Sequence, residues 1–346
     1  MLSKDYMTGQ KPSEVMTKKF KTGLVIGKFF PLHRGHQYLI DTALKQVKEL
    51  TIIVCHCDKY NIDPEIRAGW IRELYPSARI IVFRHKKYLD STSVKLSPLW
   101  ASITKKLLGF VPEAVFSSET YGQSYATSLG STHILVDIKR KKYSISGTLV
   151  RANPFKYWEY LSEPVKGYFA KRIVVLGAES TGTTSLAKSL AKHYHTSWAP
   201  EYGRTYSEGK ITAKNGNNWT ADEFIHIALV QNSLEDLLAR KSNKLLICDT
   251  DAFATRLWFE RYLGYLYPPL DEITNTQNKS LYILTGDEIP FVQDGLRDGE
   301  HIRHQMHQRF IEELNKFHLK YILVKGSRTQ RQKQAISAID ELFLEK

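Results

Sequence analysis

Only three cysteines occur in the 346 residues, Cys55, Cys57 and Cys248, and none forms a CxxC pair. A sparse, odd count argues against a disulfide framework. Cys55-His56-Cys57 makes no zinc site by itself, because adjacent strand residues point to opposite faces. No apolar run approaches the length of a membrane span. The N-terminus lacks the apolar core of a secretory signal, so a cytoplasmic protein is expected. Internal repeats and low-complexity segments are also missing. Acidic residues are in deficit: 36 Asp and Glu stand against 49 Lys and Arg, a net charge of +13. The basic residues are dispersed rather than gathered in a stripe. That favours small anionic ligands over nucleic acid or an anionic membrane.

What is present is the composition of a globular protein, 42% hydrophobic and 25% charged, at a length that suggests two domains. Residues 1–20 read as a polar tail. From 21 to 168, apolar runs alternate with helical patterns. Strands are expected at 23–26, 51–55, 79–83, 114–118 and 133–137, with helical stretches at 65–74 and 102–108. The pattern restarts near 165–170, and a second domain, 169–346, has strands expected at 172–176, 245–248, 280–284 and 320–324. Such alternation predicts an α/β protein with two doubly wound, mostly parallel sheets. The ligand crevice of each should lie beyond the carboxyl ends of its strands.

In the first domain a strand leads into Gly27-Lys28-Phe29-Phe30-Pro31-Leu32-His33-Arg34-Gly35-His36, and a helical pattern follows. A Gly-rich strand-to-helix turn presents backbone N–H groups to phosphate. His33 and His36, three apart, share one helix face. Two imidazoles at a positively polarised helix end suit a polyphosphate better than a metal needing three or four ligands. Further on, Ser146-Gly147-Thr148-Leu149-Val150-Arg151 combines a helix cap, Ser146, with Thr148 and Arg151 on one face.

These elements resemble the GxFxPxHxGH and ISxTxxR signatures of nucleotidyltransferases. The stretch Ile145 to Tyr160 resembles NadR-type bifunctional proteins, in which a nicotinamide-nucleotide adenylyltransferase is fused to a ribosylnicotinamide kinase. The resemblance spans about residues 22–320. It implies a Rossmann-like adenylyltransferase domain followed by a P-loop kinase domain. His33 and His36 would hold phosphates at the reacting phosphorus, Thr148 and Arg151 the leaving pyrophosphate, and Gly27, Lys28, Phe29, Ser117 and Ser146 the nucleotide. Asp137 would contact the adenosine ribose, and Lys139 and Arg140 the phosphates. Arg67 and Trp70 match the substrate helix, where an aromatic ring can stack on nicotinamide; a core position explains Trp70 equally well.

In the second domain, Gly177-Ala178-Glu179-Ser180-Thr181-Gly182-Thr183-Thr184-Ser185 lies between a strand and a helix, as a P-loop must. Thr183 stands where the P-loop lysine belongs, and Lys188, one turn on, is a candidate substitute. The resemblance makes Thr184 and Asp249 ligands of Mg²⁺, with Asp249 or Glu201 handling the ribose hydroxyl. Tyr202, Arg204, Asp251 and Asp294 would contact the nucleoside, and Arg297 and Arg303 the transferred phosphoryl. The implied function is NAD biosynthesis, with ATP, NMN, nicotinamide riboside and NAD as small-molecule substrates and products. The alternative is an adenylyltransferase whose degenerate P-loop domain serves as a nucleotide sensor. Some members of that family carry a DNA-binding domain at the N-terminus. The roughly 20 residues before the first strand are too few for one, so no nucleic-acid partner is expected. Oligomeric state stays open.

Overall fold

The computed structural model describes residues 18–211, 218–275, 279–293 and 299–344. Most of the polar segment 1–20 lies outside them, as do Asp294 and Arg297. Contacts divide the chain into two compact units, Met1–Ser162 and Glu163–Lys346.

In the first unit, strands β1 (Phe20–Gly27), β2 (Val47–His56), β3 (Arg79–Arg84), β4 (Ala114–Ser117) and β5 (Thr132–Leu135) alternate with helices α1 (Arg34–Leu44), α2 (Pro64–Leu74), α3 (Ser97–Leu108) and α4 (Gly122–Leu129). A short α5 (Gly147–Ala152) follows. The sheet order is β3-β2-β1-β4-β5, and every pairing is parallel. Helices cover both faces, which is why the middle of β2 is apolar, Ile52, Ile53 and Val54 being fully buried. The chain winds one way from β1 to β3 and the other way through β4 and β5, so the strand order reverses between β1 and β4. At that switch point the carboxyl ends open a crevice.

The second unit starts with α6 (Glu163–Phe169) and β6 (Lys171–Leu176), then α7 (Thr183–His193) and a two-residue strand β7 (Trp198–Ala199). Helices α8 (Tyr202–Ile211) and α9 (Ala221–Ala239) lead to β8 (Leu245–Asp249). After α10 (Ala252–Leu263) and α11 (Pro268–Asn275) come β9 (Leu281–Thr285), α12 (Glu300–Lys316), β10 (Tyr321–Val324) and α13 (Arg328–Leu344). This sheet is ordered β10-β9-β6-β8-β7 and is also parallel throughout. One face packs Ile173, Val175, Ile247 and Ile283 against Leu186 and Leu190 of α7 and Ala335 and Ile339 of α13. A separate cluster joins Phe224 and Ala228 of α9 to Phe259 of α10 and Leu270 of α11. All three cysteines are buried and unpaired.

Candidate active sites

His33 caps α1: its extended backbone ends the turn and its Nδ1 accepts the Gly35 N–H at 3.2 Å. One turn on, His36 stacks on it, with ring centroids 3.8 Å apart at an interplanar angle of 22°. The Phe29 ring meets the other side of His36 edge-on. Opposite, α5 brings in Arg151, which donates to the Phe30 carbonyl at 2.5 Å and to the Thr148 hydroxyl at 3.0 Å. Gly147 makes this approach feasible, because a Cβ there would lie 2.7 Å from the Phe30 carbonyl oxygen. Ser146 caps α5 by accepting the Leu149 N–H. Together these residues line a cavity of about 330 Å³, with Gly27, Lys28, Ser117, Asp137 and Arg140 also in its wall.

The cavity disfavours added positive charge on the imidazoles. Burial, followed by the nearby Arg140 charge, lowers the His33 pKa to about 4. Burial, His33 and Arg140 push His36 well below its ordinary value. Both rings are therefore neutral at pH 7, leaving N–H groups to donate to phosphate oxygens. Arg140 and Arg151 supply the fixed charge.

Several residues unnoticed in the sequence complete the wall: His85, Asp90, Trp100, Tyr121 and Tyr143. Asp90, with a 2% exposed side chain, pairs with Lys28 at 2.8 Å and also with Lys59. Burial alone would raise its pKa, but the bonds from Lys28 and Lys59 outweigh that and hold it well below the carboxylate range. Trp100 is oriented by its Nε1–H, which donates to the Leu89 carbonyl. The available signal was length: the connection from Arg84 to Ser97 is long for a strand-helix link, which marks a loop with work of its own.

Three residues expected here sit elsewhere. Arg67 and Trp70 do not line the cavity. Arg67 is fully buried, and its guanidinium donates to the carbonyls of Lys28, Cys55 and Ile62 and bonds His56. It braces the β1 and β2 ends instead of facing ligand. Trp70 is 5% exposed, on the buried side of α2. Lys139 is exposed and outside the wall. Asp137 does line the cavity, but both carboxylate oxygens already accept backbone N–H groups, from Lys141 and Lys142.

In the second unit, β6 runs into the turn 177–182 and α7. The turn has its own internal pins. Thr285 donates to Thr181 Oγ1 at 2.7 Å, and Thr181 donates to the Ala178 carbonyl. Gly177 is needed because a Cβ would sit 2.2 Å from Thr285 Oγ1. Gly182, at φ +83°, starts α7 with no side-chain cap, so the first N–H groups of the helix have no capping oxygen. Glu179, Ser180, Gly182, Thr183, Thr184 and Ser185 line a cavity of about 250 Å³. Thr181 does not, being 1% exposed and committed to the pins.

Glu201, Arg204 and Gln231 form another part of the wall, and Trp219, Phe224, Trp258 and Tyr262 make an aromatic side. The Trp219 ring lies 5.6 Å from that of Tyr262. These aromatics were not expected from the sequence; they come from a polar loop and from two helices whose faces only the tertiary fold brings together. Asp249 is 2% exposed. Burial raises its pKa to about 6, against hydrogen bonds from Thr184 and Thr183 that lower it. Burial and the Asp249 charge raise Glu201 to about 8.

Asp249, Asp251, Tyr202 and Arg303 are not in the wall, Asp249 lying just behind it beside Thr250. Asp251 is 1% exposed; it caps α10 through the Ala254 N–H and accepts the Tyr282 hydroxyl. Tyr202 bonds His226 through its hydroxyl. Lys188 places its ammonium 4.7 Å over the Trp198 ring and is absent from the wall too.

Two parallel sheets, each with a phosphate-type strand-turn-helix at its carboxyl edge, define a two-domain nucleotide-dependent transferase of the α/β class. A family model described as AAA domain matches residues 172–331. The trifunctional NAD biosynthesis/regulator protein NadR of Escherichia coli (strain K12) is 31% identical over 339 residues, covering 90% of this chain and 80% of that one. Its counterpart from Salmonella typhimurium is 31% identical over 327 residues, covering 88% and 78%. The chain belongs to the NadR family. Among solved structures, a NadR protein in complex with NAD and AMP-PNP superposes with a TM-score of 0.74 at 21% identity, covering 94% of this chain and 97% of that one. A NadR protein in complex with NR gives 0.73 at 21%, covering 96% and 98%. Among the described residues, no helix is long and apolar enough to cross a membrane.

Proposed function

We propose that the chain makes NAD from nicotinamide riboside in two ATP-dependent steps, phosphorylation to NMN in the second unit and adenylylation of NMN in the first. The observation that carries the reading is the stacked, neutral His33–His36 pair at the start of α1, faced by Arg140 and Arg151. The ligands named for the two NadR structures, NAD with AMP-PNP and NR, support it.

In adenylylation, a phosphate oxygen of NMN attacks the α-phosphorus of ATP. The bond to the bridging oxygen breaks and pyrophosphate leaves. The attacking group is already anionic, so positioning and charge stabilisation suffice. His33 and His36 donate to the phosphates, Arg151 and Thr148 hold the departing pyrophosphate, and Arg140 adds charge. In phosphorylation, the riboside 5′-hydroxyl attacks the γ-phosphorus, ADP leaves, and the proton passes to Asp249, because Glu201, raised to about 8, is already protonated at pH 7. The aromatic side of the cavity accepts the flat pyridinium ring. Mg²⁺ fits beside it: Asp249 Oδ1 is buried without a hydrogen-bond partner, and with the Thr184 hydroxyl it offers the oxygen donors a hard cation takes. When bound, the ion neutralises phosphate charge.

The test is incubation of the purified chain with Mg²⁺-ATP and nicotinamide riboside, following NMN and NAD by chromatography. NAD from riboside alone supports both steps. NAD only from supplied NMN confines catalysis to the first unit. No NAD from NMN overturns the reading. Thr183 at the lysine position favours one alternative, in which the second unit binds nucleotide as a sensor without turning it over.

A further inference from the structure

The residues that begin α9 also stand in the wall of the second cavity. We propose that Lys210 of α8, held by Glu223, is a positioning residue for the riboside: it fixes Trp219 as the platform on which the pyridinium ring stacks. The inference rests on the kinase reading above and adds to it what sets the ring-binding wall.

Trp219 precedes the N-cap Thr220, and its ring lies 5.1 Å from that of Phe224, the fourth residue of α9. That is the spacing of a hydrophobic staple. Thr220 and Glu223 form a capping box, in which Glu223 Oε2 accepts the Thr220 N–H at 2.9 Å. Both rings of the staple line the cavity. Box and staple account for the start of the helix, but neither calls for a cation. One is nevertheless brought from α8. The Lys210 ammonium lies 4.7 Å over the Trp219 ring. It donates to the Asn218 carbonyl at 2.6 Å and pairs with Glu223 Oε1 at 2.5 Å. That carboxylate oxygen also accepts the Tyr206 hydroxyl at 3.0 Å.

These bonds bracket a single residue. Lys210 holds the peptide before Trp219, Glu223 holds the peptide after it, and the ammonium covers the ring between them. The Lys210 and Glu223 side chains are 12% and 19% exposed, so water competes with the pair less than it does at an open surface. Burial alone would raise the Glu223 pKa, but the bonds from Lys210, Thr220 and Tyr206 outweigh it and lower the carboxyl below its ordinary value. The pair is therefore ionised at neutral pH. An indole ahead of a helix has several rotamers open to it. Fixing one in advance removes an ordering cost from ligand binding, and an ammonium over a ring face attracts that face in its own right.

The experiment uses the full chain and reads nicotinamide riboside binding by calorimetry, alongside KM and kcat for NMN formation. Lys210→Met keeps the aliphatic stem and removes the charge. It should weaken riboside binding about fivefold, with KM following and with kcat and the KM for ATP unchanged. Lys210→Arg, which keeps a cation over the indole, should stay within about twofold of the parent. The decisive comparison is a double-mutant cycle with Trp219→Leu. In that background Lys210→Met should weaken binding less than about twofold, because its effect passes through the indole. A loss under about twofold in Lys210→Met alone, equal losses in both backgrounds, or a fall in kcat at unchanged KM overturns the inference. Should Lys210→Met fail to fold by circular dichroism, Lys210→Gln takes its place in the same cycle. Riboside binding by the parent without NMN formation sinks the kinase reading alone, and the cycle is then read from binding. No riboside binding by the parent overturns both.

Discussion

His33 and His36 lie face to face with their imidazole centroids 3.8 Å apart, in a pocket where neither accepts a proton at neutral pH. Unfolded, each would titrate near 6.5. The His33 pKa of about 4 in the fold means that the unfolded chain binds a proton the folded chain refuses. Stability contributed here is intact above pH 6.5 and is lost as pH falls toward 4. For His33 the loss across that window is about 3 kcal/mol. Urea unfolding of the ligand-free parent and of His33→Asn, from pH 7 to 4.5, should show the parent losing ground to the variant as pH falls. Parallel pH dependences would refute the assignment.

Gly147→Ala tests the contact between α5 and the His turn. The new Cβ would lie 2.7 Å from the Phe30 carbonyl and 3.2 Å from Arg151 Nη1, so α5 must shift and Arg151 with it. The expected result is at least about a tenfold fall in kcat/KM for NAD formation from NMN. NMN formation from riboside is the internal reference for a folded second unit.

Asp90→Ala removes the one carboxylate that Lys28 and Lys59 share. Both lysines are about half exposed, so water compensates part of the loss. The expected destabilisation is about 1–2 kcal/mol, below that of a fully buried pair. It should shrink in high salt, where freed ammonium groups repel less. Denaturant midpoints at low and high ionic strength are the measurement.

Leucine in place of Trp219 or Trp258 strips the aromatic side of the second cavity. KM for nicotinamide riboside should rise about tenfold or more, as expected for the loss of a stacking platform worth 1–3 kcal/mol. Steady-state kinetics at saturating ATP would read it. An unchanged KM would place the pyridinium ring elsewhere.

The architecture was legible because the strands are continuous apolar runs between turn signals, as in Ile52-Ile53-Val54 and Val174-Val175-Leu176. The two-residue strand Trp198–Ala199 was not, since so short an edge strand leaves no periodicity to read. The His turn, Arg151 and the loop 177–185 were visible as local motifs, with all the relevant residues within one turn of backbone. Arg67 and Asp251 show what local patterns miss. Each has the residue type a ligand site wants, but Arg67 braces strand-end carbonyls and Asp251 caps a helix, roles set by depth of burial. Asp90, Trp100, Trp219 and Trp258 escaped for the opposite reason, because segments distant in sequence assemble them. Thr183 is legible as a departure, and Arg303 was named at the phosphoryl by the resemblance, although it does not line the second cavity.

Arg331 also has a bearing on how the molecule comes into being. It holds the Thr181 carbonyl across 150 residues of sequence and ties the same region to Gly286 and Glu288. During synthesis, the first unit emerges with every residue of its own cavity already made. The phosphate loop of the second unit emerges long before α13 exists to pin it. A nascent chain therefore completes its first cavity before the second, whose phosphate loop gains the Arg331 pins only once α13 has been made.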